Sequence, residues 1–194
     1  MAWDQVSGPN LAIPGTVLLN TMNPNNVSSS NDVSSLTFAN YVSYEIVFSN
    51  IVPVTNNSVF QMTIATSGSN FVSGGYISSV TIDGGGQGAN QVTTDSYTTA
   101  FLLSGLRSTS TVGNSTAYGI TGSLRIFNPS SPNFRKMING ASCFLNDTVS
   151  QTSSLCIAQF GGYFDGNSNA ITGVNFAFNS GNIATGVIKI YGIK

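Results

Sequence analysis

The stretch Tyr44-Glu45-Ile46-Val47-Phe48-Ser49 decides the fold class, because Tyr44, Ile46 and Phe48 alternate with the residues between them. A period of two residues sends alternate side chains to opposite faces of a β-strand. The same alternation returns within residues 60–65, 120–126, 174–179 and 188–190. By contrast, no segment repeats apolar residues at the three- and four-residue spacing of an amphipathic helix. The sequence therefore predicts an all-β protein with negligible helix.

Clusters of Gly, Asn, Ser and Pro separate these segments and supply the backbone conformations that turns require. They predict about ten strands, near 16–21, 41–51, 59–66, 76–82, 97–104, 119–127, 136–144, 154–164, 171–178 and 186–191. Many short strands with such turns are typical of an antiparallel β-sandwich of jelly-roll type. We expect one sandwich domain over residues 32–194. Residues 1–31, with Pro9, Pro14 and Pro24, are expected to form an extended arm or edge segment.

The charge composition narrows the function classes. Only 7% of residues are charged, the net charge is -1 and His is absent. The six basic residues, which begin at Arg107, form no basic stripe, so we expect no nucleic-acid partner. The sequence has neither an apolar run of membrane-spanning length nor a signal-peptide pattern at its start. Without His, and with seven acidic residues that form no motif, we expect neither an enzyme nor a cofactor.

Three further groups of residues are candidates for chemistry. Cys143 and Cys156 are too few for a disulfide scaffold or a zinc site; a bridge between them is one alternative, and two buried free thiols are the preferred one. Asp165, Asn167 and Asn169 have the alternate spacing of half a calcium loop, but no acid follows them, so a polar hairpin is preferred and no metal is expected. Aromatic side chains in polar surroundings can stack on sugar rings, and the candidates for this role are Tyr76, Tyr97, Tyr118 and Tyr163.

Three segments carry a resemblance to a known family. They are residues 44–53 (YEIVFSNIVP), residues 122–130 (GSLRIFNPS) and residues 176–193 (FAFNSGNIATGVIKIYGI). In order and spacing the chain resembles small β-modules on the surface of tailed-bacteriophage virions, such as tail-fibre and decoration proteins. The similarity covers about Val17 to Ile193, and the terminal motif is its most specific part.

The resemblance implies a structural and adhesive role with no catalytic residue. Because only a short segment precedes the module here, it favours a capsid decoration or cement protein on the virion surface. An N-terminal arm with Trp3, Ile13, Leu18 and Leu19 would attach it to capsid or tail proteins. The alternative is a tail-fibre or receptor-binding adhesin that recognises host surface glycan. The family resemblance and the weak charge repulsion also predict a homotrimer.

Overall fold

The fold consists of two antiparallel sheets, as the alternation predicts. The computed structural model describes residues 15–33, 41–84, 91–105, 111–146 and 154–194. Within these ranges it contains twelve strands and no helix: β1 Thr16–Met22, β2 Ser30–Asp32, β3 Ser43–Pro53, β4 Phe60–Ala65, β5 Tyr76–Gly84, β6 Gln91–Thr98, β7 Phe101–Leu102, β8 Ile120–Phe127, β9 Lys136–Asn146, β10 Ser154–Phe164, β11 Gly173–Phe178 and β12 Ile183–Ile193.

The strand order shows how the chain divides between the sheets. The larger sheet has the order β1-β12-β3-β8-β9-β10-β5-β6, and the smaller has the order β2-β11-β4-β7. Four antiparallel pairs are nested along the chain: β1 with β12, β2 with β11, β3 with β8, and β4 with β7. The remaining four strands, β5, β6, β9 and β10, extend one side of the larger sheet.

Aromatic side chains join the two sheets into one core. Phe48 of the larger sheet lies 5.4 Å from Phe60 of the smaller sheet, measured between ring centroids. At another point Tyr76 of the larger sheet lies 4.8 Å from Phe101 of the smaller sheet. All four side chains are fully buried. Ring pairs at these separations add to the stabilisation that burial of their apolar area already provides.

The sequence prediction of strands is confirmed in outline and differs in two places. No strand was expected at 91–96, and the expected strand at 97–104 is the end of β6 and the short β7, which lie in different sheets. The three-residue strand β2 was not expected, because Ser30, Asn31 and Asp32 show no apolar alternation. Strands β2 and β7 are only three and two residues long, and their partners β11 and β4 lie far away in sequence, so local periodicity carries little information about them.

The N-terminal segment lies at the edge of both sheets. Strand β1 is an edge strand of the larger sheet, and β2 is an edge strand of the smaller one. Between them, Val27 forms an isolated bridge with Ile183, and the Asn20 amide donates a 2.9 Å hydrogen bond to the Asp32 carboxylate. Residues 16–22 and 30–32 are thus part of the sandwich as edge strands, and residues 1–14 lie outside the described ranges.

Candidate functional site

The most distinctive surface is the solvent-facing side of the larger sheet, which we call the outer face. On β9 it consists of Met137, Asn139, Ala141, Cys143 and Leu145, and on β10 of Leu155, Ile157, Gln159, Gly161 and Tyr163. None of these ten residues is charged. Met137, Leu155 and Ile157 are 56%, 55% and 45% exposed. Exposed large apolar side chains grouped on one surface are typical of an interaction site.

A shallow hollow of about 480 Å³ lies in this face. Its walls include Val47 of β3, Thr121 of β8, Cys143 of β9 and Ile157 of β10. The pairing register explains this grouping, because Thr121 lies opposite Cys143 and Cys143 lies opposite Ile157 on successive strands. The hollow is open and mostly apolar, which suits packing against another surface rather than enclosure of a small molecule.

Charged groups surround this apolar centre. Glu45 of β3 lies directly opposite Arg125 of β8 in the pairing register. Lys189 lies on β12, beyond β3, and Asp83 lies on β5, beyond β10. The four charges therefore add to zero over the described part of the outer face.

The two cysteines are on opposite sides of the larger sheet. Cys156 is buried in the core, whereas Cys143 is exposed on the outer face. They lie on paired strands but one residue out of register, with Cys143 opposite Ile157 and Cys156 opposite Phe144. Their side chains therefore point away from each other, and no disulfide joins them. The expectation of a buried thiol is confirmed for Cys156 and wrong for Cys143, because the alternation of the strand carries Cys143 outward.

The candidate calcium loop is held by basic side chains of this chain. Arg135 forms an ion pair of 2.9 Å with Asp165. The fully buried Lys136 ammonium donates hydrogen bonds to the carbonyl oxygens of Ser131, Phe134 and Ser168. Asn167 accepts a 3.0 Å hydrogen bond from the Asn169 backbone N–H, as in a polar turn. Burial lowers the pKa of Lys136 by removing water from its ammonium group.

The structure does not bring the candidate tyrosines into one site. Tyr76 is fully buried, its hydroxyl accepting from the Ile64 N–H and donating to the Val72 carbonyl, both at 2.9 Å. Its assignment to a sugar-binding surface is therefore wrong, and burial raises its pKa to about 12. Tyr97 lies in β6, where the side chains before Thr98 are outside what the structure describes.

The other two candidates, Tyr118 and Tyr163, are half-buried and lie near opposite ends of β9. The Tyr118 carbonyl accepts from the backbone N–H of Leu145, and Tyr163 lies opposite Met137. Leu145 and Met137 are eight positions apart on β9, about 26 Å along a strand. Tyr118 and Tyr163 therefore cannot contact the same sugar ring.

The predicted attachment residues fall into three groups. Trp3 and Ile13 lie outside the described ranges. Leu18 is 51% exposed, next to Tyr191 of β12. Leu19, at a β-bulge between Leu18 and Asn20, packs against the core. Of the described pair, only Leu18 is available to another molecule.

The sequence reasoning missed Met137, Leu155 and Ile157. A signal for the last two was present, because all four residues of Leu155-Cys156-Ile157-Ala158 are apolar, which places apolar side chains on both faces of a strand. Such a run is typical of a strand that is covered on both faces.

Comparison of the chain with protein-family models, curated protein sequences and solved structures finds no match. Over the five described ranges, no group of three or more Cys, Asp or Glu side chains is placed to bind a metal ion. No helix in that part of the chain is long and apolar enough to cross a membrane.

Proposed function

We propose that the chain is a non-enzymatic structural protein of a bacteriophage virion, displayed on the particle surface as a jelly-roll module. The observation that carries the proposal is the nesting of β1·β12, β2·β11, β3·β8 and β4·β7. From the outermost pair inwards, these pairs lie alternately in the larger and the smaller sheet. A jelly roll divides the nested antiparallel pairs of its eight strands between two sheets in this way. This topology occurs in viral capsid proteins, and it agrees with the resemblance of the three sequence segments.

The four strands outside the nest support a surface role. Strands β9 and β10 lie between β8 and β11 in the chain, and β5 and β6 lie between β4 and β7. All four add to the same side of the larger sheet. They enlarge the outer face and provide most of its exposed apolar side chains. We infer that this extension serves contact with neighbouring molecules in an assembly.

Attachment to the particle is assigned to the N-terminal arm. Residues 1–14 contain the predicted contacts Trp3 and Ile13 and precede β1. Deletion of residues 2–14 removes none of the strands that the structure describes, whereas a deletion that extended to Asn20 would remove most of β1. The shorter deletion therefore separates attachment from folding.

The test is the copy number of the chain in purified particles of a phage that encodes it. Mass spectrometry should detect the intact chain, and antibody labelling in electron microscopy should place it on the capsid shell. The variant lacking residues 2–14 should fold with unchanged far-UV circular dichroism and be lost from particles, whereas Val54→Asp, an exposed loop substitution, should be retained. Absence of the intact chain from particles would contradict the virion role, and normal incorporation of the deletion variant would contradict attachment through the arm.

A tail-fibre or receptor-binding adhesin is the second candidate. Tyr163 on the outer face supports it, because this half-buried ring lies one strand away from Met137 and presents an aromatic surface. This role predicts labelling at the tail tip and binding to a host surface polysaccharide. Tyr163→Ala should abolish that binding and Tyr118→Ala should preserve it. A purified protein that binds none of the host's polysaccharides would exclude the adhesin.

A further inference from the structure

The outer face is large enough to form a stable interface. Six of its strands, β12, β3, β8, β9, β10 and β5, are consecutive in the larger sheet. At a spacing of about 4.8 Å and a length of about eight residues each, they cover roughly 700 Å². A standard protein interface buries about 800 Å² on each partner. Of the four middle strands, β9 and β10 contribute no charge to this face, and the charges of β3 and β8 are Glu45 and Arg125, which lie opposite each other.

The charges on this face are arranged to complement those of an identical face. Glu45 and Arg125 lie opposite each other on neighbouring strands, so each has an opposite charge beside it within the chain. Lys189 and Asp83 lie on β12 and β5, the first and last of the six strands. Five strand spacings, about 24 Å, separate those two strands, so Lys189 and Asp83 cannot pair within one chain.

We propose that the outer face binds the same face of a second copy of this chain around a two-fold axis. The axis runs parallel to the strands, between β8 and β9. It places β12 of each copy over β5 of the other, so that Lys189 meets Asp83 of the second copy at both flanks. Followed across the paired strands, Lys189 and Asp83 are offset by two residues along the strand direction, about 7 Å. The long lysine side chain spans this offset.

The same axis removes apolar side chains from water without opposing like charges. It places β10 over β3 of the second copy, which brings Ile157 to the level of Val47 and Ser49. It places β9 over β8, which brings Cys143 to the level of Thr121. Glu45 and Arg125 face the uncharged Gly161 and Asn139 of the second copy. This contact deepens the proposed structural role by naming a partner, and because its test uses purified protein, its failure is distinguishable from failure of the virion proposal.

The first test is the mass of the purified chain in solution, by sedimentation equilibrium up to roughly 100 µM. We expect a dimer in place of the homotrimer that the family resemblance implies, and Ile157→Asp should raise its dissociation constant at least about a hundredfold by burying an unpaired charge. Val54→Asp is the matched control, since Val54 is similarly exposed but lies in the loop after β3. Circular dichroism should show that both variants fold. A wild-type monomer, a trimer unaffected by Ile157→Asp, or a monomer whose outer face binds polysaccharide would each overturn the proposal.

The second test exchanges the flanking charges. Lys189→Asp and Asp83→Lys each place like charges across the interface and should weaken association about tenfold. The double variant restores opposite charges and should return the dissociation constant to within about threefold of wild type. Because the two residues lie about 24 Å apart in one chain, this rescue can only be intermolecular. Additive weakening in the double variant would overturn the proposed axis.

Discussion

At the residue scale, the buried polar side chains connect segments that are distant in sequence. Lys136 is buried where the loop after β8 meets the loop after β10. Its three ammonium hydrogens match the three carbonyl oxygens of Ser131, Phe134 and Ser168. The neighbouring Arg135–Asp165 ion pair joins the same two loops but is exposed to water. The two interactions should therefore differ in how much they stabilise the fold.

Substitution of Lys136 tests this difference. Lys136→Met keeps the apolar part of the side chain and leaves three carbonyls without their donor. It should lower the free energy of unfolding by about 1–3 kcal/mol in urea titrations. Arg135→Gln, the matched control, should cost less than about 1 kcal/mol because exposed ion pairs are weak. Equal losses in the two variants would contradict the assignment of the ammonium as the main connection between the loops.

The phenol of Tyr76 predicts an alkaline loss of stability. Folding raises its pKa from 10.0 to about 12, mainly through burial. The unfolded chain thus ionises first, so the contribution of Tyr76 is complete below pH 10 and is lost as the pH rises towards 12. Tyr44, whose pKa rises to about 12, and Cys156, whose pKa rises to about 11, act in the same direction. The free energy of unfolding of the wild type should therefore fall as the pH rises above 9.

Tyr76→Phe should make that alkaline fall shallower. At neutral pH the variant should also lose about 1–3 kcal/mol, because the Ile64 N–H and the Val72 carbonyl lose their partner. Urea unfolding at pH 8 and pH 11 measures both effects. Tyr163→Phe on the outer face should change the pH 8 value by no more than about 0.5 kcal/mol. An unchanged pH dependence in Tyr76→Phe would refute the role of this phenol.

At the element scale, glycines allow aromatic rings to lie across the larger sheet. Gly122 of β8 lies opposite Phe48 of β3, and Gly140 of β9 lies opposite Phe160 of β10. A Cβ atom added at Gly140 would lie 2.7 Å from the Phe160 ring and would also meet the Ser123 carbonyl oxygen. The space that each glycine leaves on the core side is therefore filled by the ring of the neighbouring strand.

Gly140→Ala should consequently overpack the core and destabilise it by about 1–3 kcal/mol. Gly161→Ala is the matched control on the paired strand, because there the nearest atom lies at 3.4 Å and the side chain points to the outer face. That variant should change the free energy of unfolding by no more than about 0.5 kcal/mol. Thermal and urea unfolding measure both, and equal effects would show that ring packing does not distinguish the two positions.

At the scale of the whole molecule, the nested pairs bring the two ends of the described chain together. The Lys194 N–H donates a 2.7 Å hydrogen bond to the Gly15 carbonyl. Strand β12 also separates β1 from β3 in the larger sheet, so the sheet is incomplete until the last residues are in place. Closing a loop over most of the chain costs conformational entropy before these contacts can stabilise the fold.

Slow folding should follow from this topology. Two-sheet proteins with pairing between distant strands refold over about milliseconds to seconds. Stopped-flow refolding monitored by Trp and Tyr fluorescence should fall in this range, and removal of residues 183–194 should abolish the cooperative transition. Refolding within tens of microseconds, or a cooperative transition in the truncated chain, would contradict the role of the terminal pairing.

The sequence by itself determined the strand content and the inward residues of most strands. Alternation in residues 44–49 and 174–178 is a local property, and it placed Ile46 and Phe48, and likewise Phe176, on the face of their strand that is buried in the structure. It could not assign Tyr76, because an alternating tyrosine fits either face of a strand until the opposite sheet is in place. The same applies to Lys136, since a buried lysine is acceptable only where carbonyl oxygens from other loops converge.

Only the tertiary structure decided which strands are neighbours and what the outer face contains. A period of two residues specifies the two faces of a strand but says nothing about its partner, which is selected by contacts over the whole chain. The pairing of β1 with β12 and of β9 with β10 is therefore given only by the tertiary structure. It aligned Met137, Cys143 and Ile157 on one exposed surface and placed Lys189 and Asp83 at its two flanks.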